Sequence, residues 1–192
     1  MDGASEPQAP PELSERALWA QLSAAQGLAA TAEAWAPMAC ARIRGAQAAA
    51  VMLDPGDGRP LRVTAAHPAT RLPSADALAA AESAIAQGRG VIRGAGPEAG
   101  DHPVAMAVPI LVEGKALGAG VLEMSPQGPE GMRRAMRSLQ WACAWLRDAA
   151  RAEAAAAERT RYEQVGHALH VVVAAAEREG FDSAARAAAT DL

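Results

Sequence analysis

The chain holds one lysine (Lys115), one phenylalanine, one tyrosine and two cysteines among its 192 residues, and aromatics make up only 3% of it. With arginine supplying nearly all the positive charge and a net charge of −4, no basic stripe marks a phosphate-binding surface, so nucleic acid is not an expected partner. The two thiols, Cys40 and Cys143, lie far apart in apolar helical patterns, which suits reduced core cysteines better than a disulfide. No apolar run reaches bilayer length, and the opening MDGASEPQAPPELSE lacks the basic and apolar regions of a signal peptide. The expectation is a cytoplasmic segment with no direct membrane insertion. Because hydrophobic residues still make up 51%, the core must be built from Ala, Leu, Val and Met, with four tryptophans as its large pieces.

What the sequence does contain is a strong hairpin pattern from Val104 to Met124. Two apolar runs flank Glu113-Gly114-Lys115, the signature of a β-hairpin. On the first run Val104, Met106, Val108, Ile110 and Val112 share one face and Ala105, Ala107 and Leu111 the other, so both faces are buried. On the second run Ala116, Gly118, Gly120 and Leu122 leave one face nearly bare, which invites a helix close to the backbone.

Residues 1–11, with three prolines and little apolar surface, read as a disordered lead. Residues 12–27 read as a first helix, with Leu13, Ala17, Ala20 and Ala24 on one face, Leu18 and Leu22 widening it, and Gly27 ending it. A second helix spans Leu28 to Arg42, with Trp35 and Met38 inward and Pro37 as a kink or restart. A strand over Ala46–Leu53, a turn from Asp54 to Pro60 and a strand over Leu61–Ala66 make a second hairpin. Ser74 caps a third helix whose stripe is Leu78, Ala81 and Ile85, ended by Gly88; a short strand at Val91-Ile92 and a loop from Arg93 to Pro103 follow. From Glu130 past Arg161 the apolar residues Met132, Met136, Leu139, Cys143, Leu146, Ala150 and Ala157 step in alternating fours and threes, the seam of a coiled coil. The register continues through Thr160, Gln164, His167, Val171 and Ala174.

This order, helix, hairpin, helix, short strand, hairpin, long helix, is an α+β arrangement: an α/β/α sandwich on an antiparallel sheet, with an N-terminal helix and a long C-terminal helical extension. Over about Leu28 to Arg147 it resembles the GAF domain, on the phrases Arg44-Gly45-Ala46 and Val108-Pro109-Ile110-Leu111 with Gly114 and Leu117-Gly118. Pro109 is unusual in a central strand, and the GAF pattern often carries a proline there. The flanking helices show a looser resemblance to bacterial proteins that carry cytoplasmic GAF domains ahead of a haemolysin-D-type membrane-fusion adaptor, on Ala168-Leu169-His170 through Leu192 and the Ala/Arg-rich linker. The implied partition is a GAF-like domain over 28–147, a helical linker over 148–180, and over 181–192 the start of a second such domain.

The resemblance implies a ligand pocket between the sheet and the segments joining the second strand to the third. There the polar groups available are His67, Arg71, Arg93, Asp101 and His102, although His67-Pro68 and His102-Pro103 also read as ordinary loop histidines. The Asn-Lys-Phe-Asp-Glu string of cyclic-nucleotide-binding GAF domains is missing, and Cys40 and Cys143 sit on helices rather than in the pocket loops where bilin attachment or methionine-sulfoxide reduction needs thiols. Glu163, His167 and His170 share a helix face, but three such residues on one solvated helix make no metal site. No catalytic triad, carboxylate pair or phosphate loop can be placed, since Gly88-Arg89-Gly90 precedes a strand rather than a helix. The expectation is therefore no enzyme, no cofactor and no metal.

Two functions fit. One is a sensor binding a small molecule and signalling through the long helix; the other, favoured by the paired-helix pattern, is a dimerisation and partner-docking unit of a larger bacterial secretion or efflux protein. A homodimer is expected through Leu18, Leu22, Met132, Met136, Leu139, Cys143, Leu146 and Ala150, with Trp141 and Trp145 largely buried. Gly180-Phe181 and the Ala-rich residues after it repeat the pattern of Gly27-Leu28, which predicts that the chain is the first part of a longer protein.

Overall fold

The computed structural model describes residues 14–56, 58–94 and 102–190. The proposed disordered lead, Leu13 of the first helix and Asp101 lie outside them. The chain divides into two units, one ending at Arg151 and one beginning at Ala152.

In the first unit the order is α1 (Glu15–Ala24), α2 (Gly27–Arg42), β1 (Ala46–Leu53), β2 (Arg62–His67), α3 (Ala75–Gln87), β3 (Val91–Arg93), β4 (Val104–Val112) and β5 (Lys115–Met124), followed by α4 (Pro129–Thr190), whose residues up to Arg151 belong to this unit. The sheet is antiparallel throughout, in the order β2-β1-β5-β4-β3, so the central hairpin and β1 form its middle and β2 and β3 its edges. The β4–β5 turn is two residues long, with Glu113 at φ 51° and Gly114 at φ 80°. Two successive positive φ values give the tight turn the twist of the flanking strands. Pro109 is tolerated because β3 pairs only with Ala105–Ala107 and has ended by that point, leaving the outer edge of β4 unpaired.

Strand alternation sorts the core into two layers. Val104, Met106, Val108, Ile110 and Val112 of β4, Ala49 and Val51 of β1, and Leu122 and Met124 of β5 pack with α1, α2 and α4. Ala105, Ala107, Ala50, Met52, Ala119 and Val121 point the other way, onto α3. Gly120 permits the close helix approach expected of β5: a Cβ there would lie 2.6 Å from Cys143 Sγ and 3.1 Å from the Trp35 ring. Gly118 serves a different neighbour, since its Cβ would strike the Met52 carbonyl of β1, not a helix.

Several helix faces differ from the sequence expectation. In α1 only Leu18 and Leu22 are buried, while Ala20 and Ala24 are exposed, and Gly27 opens α2 instead of closing α1. Helix α2 runs to Arg42 with Pro37 inside it. In α3 the buried stripe is Ala77, Ala80, Ala81 and Ala84, and Leu78 is exposed, because the small side chains let the helix settle onto an alanine-lined sheet face. The seam residues Leu18, Leu22, Met132, Leu139, Cys143, Leu146 and Ala150 are buried in the unit's own core, with Met136 half-buried beside them. This corrects their assignment to a dimer interface: the three-four spacing is used up in covering the sheet. The tryptophans correct likewise. Trp141, two positions from both Leu139 and Cys143, falls on the opposite side of α4 and is 81% exposed, and Trp145 is 40% exposed.

In the second unit α4 continues to Thr190. Gly180 lies inside it, so the break between α1 and α2 at Ala25-Gln26 has no counterpart before Phe181. Tyr162, Val165, Leu169 and Val172 are all exposed. Of the positions expected to continue the seam, Thr160, Gln164 and His167 are exposed but polar, Val171 is exposed and apolar, and Ala174 is half-buried. Among the described residues no helix is long and apolar enough to cross a membrane.

Candidate functional site

On the α3 side of the sheet, β2 ends at His67, a cis bond joins His67 to Pro68, and the chain turns so that the Arg71 amide donates to the Pro68 carbonyl at 3.0 Å. Ser74 then caps α3, its hydroxyl accepting from the Ala77 amide at 3.2 Å, as its place before the helical pattern predicts. Over this corner lies Glu123, a carboxylate on the buried face of β5 with only 5% of its side chain exposed. Its Oε1 accepts from the Ser74 amide at 2.9 Å. Its Oε2 lies 2.8 Å from Nη2 of Arg71 but off the line of a hydrogen bond, so that oxygen depends on charge alone. A buried carboxylate is tolerable only when compensated in this way. Arg71 is thus the counter-ion of Glu123.

The other expected pocket residues do not join it. His67 ends β2 at one edge of the sheet; Arg93 is on β3 at the other edge, about four strand spacings or ~19 Å away, where its Nη2 donates to Ser83 at 3.2 Å. His102 precedes β4 on that far side and is exposed, and Asp101 lies outside the described residues. Glu123 was the member sequence reasoning missed. Its signal was a single charge on the face that also carries Ala119 and Val121, which demands a partner once buried.

Among the described residues, the depression beside Glu123 on this side, against Ala50, Ala66, Arg71, Pro73 and Ala77, holds about 10 Å³. That is about the least that admits a single water, against roughly 300–1,000 Å³ for an ordinary small-molecule site. At this corner alanine packs against alanine between the sheet and α3.

On the opposite side of the sheet the covering helices carry a groove of their own. Helices α1, α2 and α4 bound a groove of about 570 Å³ whose lining includes Trp19, Trp35, Trp141 and Trp145 with Arg134 and Arg137. Trp19 and Trp145 pack with ring centroids 6.0 Å apart and planes at 58°, a tilted aromatic pair. Trp35 forms the buried floor, its indole N–H donating to the Ala142 carbonyl at 2.9 Å. Arg42 at the rim is paired with Glu15.

Both cysteines are free thiols. Burial pushes Cys143 from 9.0 up to about 12, with Arg147 and the Gly120 amide pulling the other way. Burial likewise pushes Cys40 up to about 11, opposed by Arg71. A raised folded-state value means the native chain keeps protons that the unfolded chain releases. The stabilisation is complete below about pH 9 and is lost as pH rises towards the folded values. Iodoacetamide at about pH 8 should therefore leave native Cys143 unmodified and label it after unfolding in urea. Stability should decline above about pH 9, less steeply in Cys143→Ala. Native labelling of Cys143 at the rate of an exposed thiol would contradict its placement. Glu163, His167 and His170 are exposed, and no group of three or more His, Cys, Asp or Glu among the described residues is placed to hold a metal ion.

No family model matches the sequence, and no curated protein does. Solved structures do match. The GAF domain of an Acinetobacter phosphoenolpyruvate-protein phosphotransferase aligns over 79% of this chain and 99% of that one, at 12% identity and a TM-score of 0.54. The GAF domain of the corresponding Coxiella burnetii protein aligns over 73% and 94%, at 15% identity and a TM-score of 0.45. The chromophore-binding domain of an R. palustris bacteriophytochrome aligns over 73% and 62%, at 17% identity and a TM-score of 0.48. Nothing in these comparisons supports the looser likeness to haemolysin-D-type adaptors. The sheet order, the helical layers on its two faces and the first of these alignments agree on one conclusion: this chain has the GAF fold.

Proposed function

We propose that the chain is a non-catalytic regulatory module that works by docking and pairing, not by holding a small molecule between sheet and α3. The observation that carries this reading is the alanine packing between sheet and α3, where the depression beside Glu123 holds about 10 Å³ and that carboxylate is already compensated. The alternative, a small-molecule sensor signalling through the long helix, requires that packing to open. Thermal melting of the purified chain against nucleotides, amino acids, tetrapyrroles and divalent metals tests the choice, since any ligand selective for the folded state raises its stability. No shift is expected from any of them. A saturable rise in Tm that is abolished by Ala80→Leu would overturn the reading in favour of a sensor.

The pairing surface belongs to the second unit. Tyr162, Val165, Leu169 and Val172 follow one another at steps of three, four and three and are exposed, an apolar seam that a second copy would bury. This replaces the seam through Met132 and Leu139, which is already covered. Sedimentation of the chain at micromolar concentration should give a homodimer, and Leu169→Glu should yield monomers with an unchanged melting transition of the first unit. A dimer that survives Leu169→Glu would remove the seam from the argument. Attachment to a larger, cytoplasm-facing secretion or efflux protein rests on the looser resemblance alone, and the coding sequence that flanks this segment decides it.

A further inference from the structure

We infer that the tryptophan groove of the first unit receives an acidic amphipathic segment of a partner protein, with apolar anchors entering beside Trp141 and Trp145 and carboxylates meeting Arg134 and Arg137. The inference rests on the docking function proposed above and names its site and the partner's chemistry.

Charge selects the occupant. The protein as a whole is acidic, at −4, yet the lining of this groove contains three arginines and no carboxylate. Arg42 is engaged by Glu15, whereas Arg134 and Arg137 have no carboxylate partner among the described residues. Two adjacent unpaired guanidiniums on an otherwise negative molecule specify a negative ligand and repel basic ones. Beside them Trp141 and Trp145 expose large rigid apolar area at low entropic cost, the composition from which interface hot spots are made. A second depression of about 380 Å³ on the far side of Trp141 is lined by Arg137, Gln140 and Arg147, so the same combination extends along the helix beyond the first groove.

The other occupants fit less well. A second copy docked about a two-fold axis would set this patch, with its arginines and no carboxylate, against the same patch of its mate, which offers no opposite charge. A bilayer surface is flat, whereas this site is concave, with Trp35 and Leu22 in its lining. The groove volume, about 570 Å³, accommodates several side chains of a segment laid in helix-in-groove fashion.

The test uses the full chain and a fluorescein-labelled synthetic peptide of about four helical turns, with glutamates on one face and Leu and Phe on the other. A control peptide carries Lys in place of Glu. Fluorescence anisotropy should show saturable micromolar binding of the acidic peptide only. In Trp141→Ala the affinity should fall by roughly tenfold. In the double variant Arg134→Glu, Arg137→Glu, binding of the acidic peptide should be lost and binding of the lysine peptide gained. That reversal is an outcome a merely misfolded protein cannot produce. Retention of acidic-peptide affinity in the double variant would overturn the inference. So would a homodimer that dissociates on Trp141→Ala, which places a second copy in the groove, or arginine-dependent co-sedimentation with phosphatidylglycerol vesicles without peptide binding, which places a membrane there. Tighter peptide binding after Asp2, Glu6 and Glu12 are changed to Asn would also overturn it, by showing that the chain's own N-terminal residues fill the site. Absence of peptide binding with no small-molecule thermal shift defeats this inference alone; a small-molecule shift defeats the docking function beneath it.

Discussion

Replacing Trp35 by Ala is expected to lower the unfolding free energy by about 3–5 kcal/mol, the range for deleting a large aromatic from a closed core. The ring is 1% exposed and lies over Gly120, where the absent side chain leaves room for it, and beside Cys143 of α4. The buried Ala, Val and Met side chains around it cannot collapse fully into the space, so most of the cavity cost persists. The Ala142 carbonyl also loses its contact with the indole N–H, which ties α2 to α4 across 107 residues of sequence. Urea denaturation followed by far-ultraviolet circular dichroism measures the change without relying on tryptophan emission. Trp141→Ala is the matched control: its ring is 81% exposed, and its loss should cost less than about 1 kcal/mol. Equal losses at the two positions would mean that α4 is rotated from the register described.

The second large effect is expected at Arg71. Removal of one partner from a fully buried ion pair costs about 3–5 kcal/mol, because the remaining charge is left without compensation. The side chain of Arg71 is 40% exposed, so solvent already screens part of the interaction and can reach part of the vacated space. Arg71→Ala is accordingly expected to destabilise by about 2–3 kcal/mol. Adding Glu123→Gln should recover a substantial part of that loss, since the amide oxygen still accepts from the Ser74 amide and no buried charge remains. The double-mutant cycle in urea is the measurement. A single-variant change below about 0.5 kcal/mol, or no recovery in the double variant, would show that Glu123 is solvated in solution.

The central hairpin, the β1 strand and the helix approach at Gly120 were legible in the sequence because each rests on local information. Period-two alternation identifies the two faces of β4, and a glycine opposite a helix pattern marks a close approach whatever the rest of the chain does. The helix faces were less legible. An Ala-rich helix such as α3 offers no sharp apolar stripe, so Leu78 looked like its anchor until the sheet's alanine face drew Ala77, Ala80 and Ala84 inward. In α4 the three-four spacing of Met132 to Ala150 was read correctly as an apolar seam, but spacing does not say whether a sheet or another helix covers it. Once the sheet took that face, Trp141 had to point away, and the open groove followed.

The candidate pocket residues that are described lie apart for a related reason. His67, Arg71, Arg93 and His102 are near one another in the order of the chain, but the antiparallel crossover sends β2 and β3 to opposite edges of the sheet. Conversely, Arg71 and Glu123 are far apart in sequence and meet only because β5 runs beneath the start of α3. Composition and periodicity by themselves determined the order of elements and the core chemistry, since these depend on residue types and short spacings. Tertiary structure alone decided that the alanines of α3 meet the sheet and that Trp141 faces away from it, because both depend on which of two equally apolar surfaces another element reaches first.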